Sequence, residues 1–171
     1  VYGGDTDTPV TEHHALFGAS NGNQFGFAMA PLEDADGDGI QDIVVSAPYR
    51  SDVVTSGGAA YLLSVADLTD TSLFLEDREP FYGIDERSYV GIAVSSAGDF
   101  NGDGLSDILL GASHLDSPTD VDVGGAYVVH GSNVGWTSYS LADSALTFYG
   151  AVTDDRTGRY VSLVGDIDGD S

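Results

Sequence analysis

The chain of 171 residues contains no cysteine and no lysine, and only one methionine and one tryptophan. Its five basic residues are all arginine, set against 28 acidic ones, for a net charge of −23. Without cysteine there is no disulfide framework, no thiolate nucleophile and no cysteine-based zinc site. No apolar run approaches the length of a membrane span. The start, Val1-Tyr2-Gly3-Gly4, has neither a charged nor an apolar leader region, so no signal peptide is expected there. A start without methionine and an end inside an acidic motif lead us to expect a piece of something longer. The charge repels nucleic acid and anionic membranes, so neither is expected as a partner. A hydrophobic content of 42% is nevertheless enough for a core.

What the sequence does have is a repeated acidic loop. Asp34-Ala35-Asp36-Gly37-Asp38-Gly39-Ile40-Gln41-Asp42 returns as Asp99-Phe100-Asn101-Gly102-Asp103-Gly104-Leu105-Ser106-Asp107, and begins again as Asp166-Ile167-Asp168-Gly169-Asp170. Oxygen side chains fall at positions 1, 3, 5 and 9 of each complete copy, with glycine at position 6. Alternating short oxygen side chains converge on one point, position 7 offers its backbone carbonyl, and glycine permits the sharp turn. Hard oxygen donors favour Ca²⁺ over zinc or copper. The expected ligands are therefore Asp34, Asp36, Asp38, Asp42 and the Ile40 carbonyl, then Asp99, Asn101, Asp103, Asp107 and the Leu105 carbonyl. Asp166, Asp168 and Asp170 are expected to form a weaker third site. The competing explanation is an Asp/Gly-rich surface turn, which repetition makes harder to sustain.

An EF-hand would place a bidentate glutamate at position 12 and a helix after it. Position 12 here is Val45 or Leu110, and the loops run into Ile43–Ala47 and Ile108–Ala112. Those short, partly β-branched apolar runs read as buried strands.

The loops are phased with other landmarks. Asp34 to Asp99 is 65 residues and Asp99 to Asp166 is 67; Phe17-Gly18, Tyr82-Gly83 and Tyr149-Gly150 keep the same two spacings. Gly57-Gly58-Ala59-Ala60-Tyr61 matches Gly124-Gly125-Ala126-Tyr127 at 67. Phe25-Gly26, Val90-Gly91 and Val161-Ser162 precede the three loops. Each unit reads as four strands: Gln24–Glu33, Asp42–Ser46, Ala59–Val65 and Leu73–Tyr82, then Tyr89–Ala97, Asp107–Ala112, Ala126–His130 and Ala145–Tyr149. Tyr160–Val164 begins another. Tandem four-stranded units of this length argue for an all-β propeller.

Gln24-Phe25-Gly26-Phe27-Ala28, the Asp34–Asp42 loop and Ile43–Ala47-Pro48 together resemble an FG-GAP repeat. This is the repeat of integrin α-subunit propellers and of many bacterial surface proteins. Tyr89-Val90-Gly91-Ile92-Ala93 through Gly111-Ala112-Ser113 is similar, with Val for the first Phe and Ser for Pro. The resemblance spans about residues 15–171 and implies a seven-bladed ring, of which this chain supplies about two and a half blades. The expected division is 1–23 as the end of a preceding blade, 24–83 and 84–150 as blades, and 151–171 as the start of a further one. An incomplete ring is expected to leave apolar faces and strand edges open to self-association.

Other features carry less. Gly18-Ala19-Ser20-Asn21-Gly22 fits a Gly-x-Ser-x-Gly nucleophile elbow literally, but that elbow needs a helix after it. His13, His14, His114 and His130 read as structural or solvated, and the repeating aromatics as packing between units. Trp136 has no repeat partner, leaving an edge role and a binding role equally open. In antiparallel units the acidic loops share one end, whereas Arg50, Arg87, Arg156 and Arg159 fall at the other. They either balance local acids or mark a ligand face. The resemblance implies an extracellular or cell-surface module that binds Ca²⁺ and a protein or cell-surface ligand, with no catalytic constellation evident. The alternative is the propeller part of a secreted hydrolase.

Overall fold

The computed structural model describes residues 15–18, 20–64, 72–74, 78–136 and 139–163. Strands β2 (Met29–Leu32), β3 (Asp42–Ala47), β4 (Ala59–Ser64) and β6 (Phe81–Tyr82) form one antiparallel sheet in that spatial order. Strands β7 (Val90–Gly98), β8 (Asp107–Ala112), β9 (Gly125–Val129) and β10 (Leu146–Tyr149) form a second with the same meander. A short parallel pair joins β1 (Ala15–Phe17) to β5 (Ser72–Phe74). Among the described residues there is no α-helix, only one 3-10 turn at Leu141–Asp143. The protein is thus all-β, built of propeller-type blades, and the ring is not closed within this chain.

The central strands are buried on both faces, which is why they read as unbroken apolar runs. Along β3, Val44 faces the neighbouring sheet with Ala60, Phe81, Val90, Ile108 and Leu110. Val45 and Ala47 point the other way, onto Tyr61 and Leu63. Trp136, in the β9–β10 connection, is partly buried and packs against the core of both sheets. It packs edge-on against Phe81 of the first sheet at 5.2 Å and donates its indole N–H to the His130 carbonyl at 2.9 Å. Phe81 is buried at this seam, and truncating it to alanine should cost about 3–5 kcal/mol.

Three of the expected strands begin or run differently, and one of them, Tyr160–Val164, is not a strand over its described residues 160–163. The first sheet's inner strand starts at Met29, because residues 20–28 are turns and Gln24 and Gly26 are left-handed, with φ of 52° and 84°. Leu73–Tyr82 is not one strand: β5 pairs with β1, and only Phe81 and Tyr82 reach β4. Since turns and not a helix follow Ser20, the nucleophile-elbow geometry is not met. His13 and His14 lie outside the described residues.

The connections into each inner strand repeat one conformation. Left-handed residues occur at Gly22, Gln24 and Gly26, at Arg87, Tyr89 and Gly91, and at Asp154, Arg156 and Gly158. Val90 N–H donates to the Gly57 carbonyl at 3.0 Å and Thr157 N–H to that of Val123 at 3.3 Å, so the second and third connections each bond to the blade before them. Thr157-Gly158, not Val161-Ser162, therefore holds the place of Phe25-Gly26 and Val90-Gly91.

Candidate metal centre

Each aspartate loop closes a hairpin, β2–β3 or β7–β8, and is folded by its own carboxylates. Asp34 accepts from the N–H groups of Gly37 (2.6 Å) and Gly39 (2.9 Å), Asp36 from Asp38 (3.1 Å), and Asp38 from Ile40 (2.7 Å). In the second loop Asp99 accepts from Asp103 and Gly104 at 2.9 and 3.0 Å, and Asp103 from Leu105 at 2.9 Å. Gly39 and Gly104, with φ of 83° and 89°, occupy position 6, where a side chain would strain the turn. Asp42 and Asp107 anchor the loops to the sheets. They are buried, and each takes an N–H from loop position 2, Ala35 or Phe100, at 2.8 Å.

The structure brings Asp34, Asp36 and Asp42 together, with one carboxylate oxygen from each inside a 4.8 Å cluster. Asp42 Oδ1 is buried and has no hydrogen-bond partner among the described residues. Burial, opposed by the Ala35 N–H and reinforced by the charges of Asp36 and Asp38, pushes the Asp42 carboxyl up to about 6. A divalent cation answers all three features: it supplies the missing partner, neutralises convergent charge and prefers hard oxygen. Asp38 stands outside that cluster, its carboxylate also taking the Ser64 hydroxyl at 2.8 Å.

The second loop is arranged differently. Asp107 Oδ1 accepts from Gly131 N–H at 2.8 Å, and the Asn101 amide donates to Asp103 at 2.9 Å. That amide and the Leu105 N–H hold the Asp103 carboxyl below the usual carboxylate range. Asp166, Asp168 and Asp170 lie outside the described residues.

Loop spacing does not reveal Ser64, Ser106 or Ser132, yet all three touch the first loop. Ser64 is paired with Asp42 in register. Ser106 N–H donates to the Asp34 carbonyl at 2.7 Å and Ser132 N–H to that of Ala35 at 2.8 Å, so the first loop docks onto the second sheet. Gly37 lies against Asn133 in the same contact. The only sequence signal for this contact was the apolar Ala35 at loop position 2, fully buried in the structure.

The family description "FG-GAP repeat" matches residues 25–63 and 90–129, one copy per sheet. The chain carries FG-GAP repeats. This FG-GAP chain is also similar to integrin α-subunits. It is 36% identical to integrin alpha-3 of Cricetulus griseus over 136 residues, 78% of the chain and 11% of that relative. It is 32% identical to integrin alpha-PS2 of Drosophila melanogaster over 129 residues, 70% of the chain and 9% of the relative. For integrin alpha-6 of Gallus gallus the identity is 34% over 130 residues, 71% of the chain and 10% of the relative. The FG-GAP chain thus spans about a tenth of the length of these curated relatives. No helix among the described residues is long and apolar enough to cross a membrane.

Proposed function

We propose that this FG-GAP chain is a Ca²⁺-stabilised propeller segment of an extracellular or cell-surface protein, serving protein binding or adhesion as an integrin-like module. The supporting observation is the convergence of Asp34, Asp36 and Asp42 around a buried Asp42 oxygen that has no hydrogen-bond partner among the described residues. Asp34, Asp36, Asp38, Asp42 and the Ile40 carbonyl would hold one Ca²⁺. Asp99, Asn101, Asp103, Asp107 and the Leu105 carbonyl would hold another. Asp166, Asp168 and Asp170 supply positions 1, 3 and 5 of a third, weaker site. The ion's role is structural: it gathers mutually repelling carboxylates and fixes the hairpin. Extracellular sites of this kind have Kd of about 10⁻⁴–10⁻³ M.

The connector repeat supports blades at 24–83 and 84–150, flanked by the end of one blade (1–23) and the start of another (151–171). Exposed Met29 on the inner strand β2, Phe148 on the outer strand β10 and Tyr160 in the segment after it would drive self-association of the isolated segment. Calorimetric titration of the folded protein with Ca²⁺ tests the metal assignment: saturable binding by millimolar concentration is expected, and none at that level overturns it. Light scattering tests the open ring. Mass rising with concentration is expected, and a strict monomer refutes it.

A further inference from the structure

The end of the sheets away from the aspartate loops carries the β3–β4 and β8–β9 connections and the links between sheets. There Tyr49, Tyr89, His114, Arg156 and Arg159 surround a cavity of about 260 Å³ whose apolar wall includes Ile92. No carboxylate lines it, although the chain has 28 acidic residues. Arg50, nearby in sequence to Tyr49, is clamped by both oxygens of Asp52. The two cavity arginines are held far less. Arg156 meets Asp154 at 3.7 Å in an exposed pair, which contributes little. Arg159 makes no ion pair among the described residues, and its guanidinium lies 6.0 Å from the Tyr160 ring centre.

The walls are preset. Tyr89 stands edge-on to Tyr49 at 5.3 Å and to His114 at 5.1 Å, and Ser113 Oγ lies 3.0 Å from His114 Nδ1. Tyr89 and Arg156 are both left-handed, with φ of 55° and 54°, a conformation that bulky residues rarely hold. The repeated connector imposes it, and so fixes where these two side chains leave the backbone. Two guanidiniums beside aromatic edges suit one planar carboxylate. The volume is below that of sites for whole small molecules, about 300–1,000 Å³, and fits a single side chain. Charges farther away than about 8 Å are screened at physiological salt, so the near acid that competes is Asp154, exposed at 3.7 Å from Arg156, while a polyanion meets the whole acidic surface.

We propose that this cavity binds an Asp or Glu side chain of a protein partner, with Arg156 and Arg159 pairing to the carboxylate and Tyr49, Tyr89 and His114 flanking its stem. The assignment rests on the protein-binding function proposed above and gives that function a ligand chemistry. The test uses the full-length protein with Ca²⁺ present, titrated by calorimetry with a capped Gly-Glu-Tyr-Gly peptide, its Gln counterpart and inorganic sulfate. The Glu peptide should bind at least about tenfold more tightly than the Gln peptide. Arg159→Gln and Arg156→Gln should each weaken it about tenfold. Arg87→Gln, at the same end but outside the cavity, should not. Sulfate binding as tightly as the Glu peptide would show a bare anion site and overturn the side-chain assignment. Equal affinity for the Glu and Gln peptides, or an Arg87→Gln loss matching that of Arg159→Gln, overturns it as well. Absence of peptide binding up to about 10 mM does the same. If a natural protein partner still binds the Arg156→Gln/Arg159→Gln variant at full strength, the protein-binding function stands and this site does not.

Discussion

The two aspartate loops differ at one of their four inward side-chain positions: Asp36 in the first is Asn101 in the second. The hairpin survives the change: in both loops position 1 accepts from position 6 and position 5 from position 7, while the second N–H taken by position 1 comes from position 4 in the first loop and from position 5 in the second. The electrostatics do not. The Asn101 amide clips Asp103 from within the loop, and Gly131 takes the anchor's second oxygen. In the first loop three carboxylates face one another, and the anchor's second oxygen has no partner among the described residues. Residue 65, which occupies the place of Gly131 in the first sheet, lies outside those residues. The motif therefore specifies the turn, while the number of carboxylates and the donors around them set how strongly the turn calls for a cation.

That contrast can be tested in order of expected effect. Ca²⁺ should have the largest: at about a hundredfold over Kd, each filled loop adds about 2.7 kcal/mol. Melts with and without chelator should show it, and removing Asp36 and Asp42 together should abolish the share of the first loop. Next comes Asp107→Ala in metal-free protein. Phe100 and Gly131 both lose an acceptor, so denaturant unfolding should fall by about 2–3 kcal/mol. Asp42→Ala deprives Ala35 of its 2.8 Å acceptor but also relieves buried charge, for a loss of about 1 kcal/mol. Equal losses would break the comparison.

A reciprocal exchange is subtler. Asp36→Asn should weaken Ca²⁺ at the first loop and Asn101→Asp strengthen it at the second, each by about 1 kcal/mol or five- to tenfold in Kd. Calorimetry on single-loop variants reads this directly, and shifts in the same direction would contradict it. Ser64→Ala is the smallest change. Loss of one hydroxyl bond to Asp38 should cost about 0.5–1 kcal/mol and leave affinity at the second loop unchanged.

Much of the architecture was legible before the structure. Asp107–Ala112 was read with the right ends, and the expected Asp42–Ser46 and Ala59–Val65 each end one residue from the observed strand. Two-sided burial writes itself into a chain as a continuous apolar run, and acidic loops bracket it. The connectors were not legible. Left-handed Gln24, Arg87, Tyr89, Asp154 and Arg156 carry side chains that ordinarily avoid that region, so nothing in their identity marks a turn. For the same reason Val161-Ser162 was aligned four residues late. The Gly57-Gly58 landmark was placed one residue off: bridges at Gly58 and Gly124 show that these two are equivalent, 66 residues apart. At the metal centre the ligand types could be read from spacing, but Ser64, Ser106 and Ser132 reach the first loop through register and sheet packing, which spacing does not encode.

The docking of the first loop has a mechanical consequence. Two backbone hydrogen bonds, Ser106 to Asp34 and Ser132 to Ala35, cross from one independently hydrogen-bonded sheet to the next. Pulling the sheets past each other loads both bonds in shear, and they must rupture together rather than unzip one at a time. Both acceptors belong to the first two residues of the loop, the part that a cation at Asp34 and Asp36 would stiffen. Shear between the two sheets would then be shared between this loop contact and bonds at the other end such as Val90 to Gly57, and the part carried by the loop would rise with the Ca²⁺ concentration.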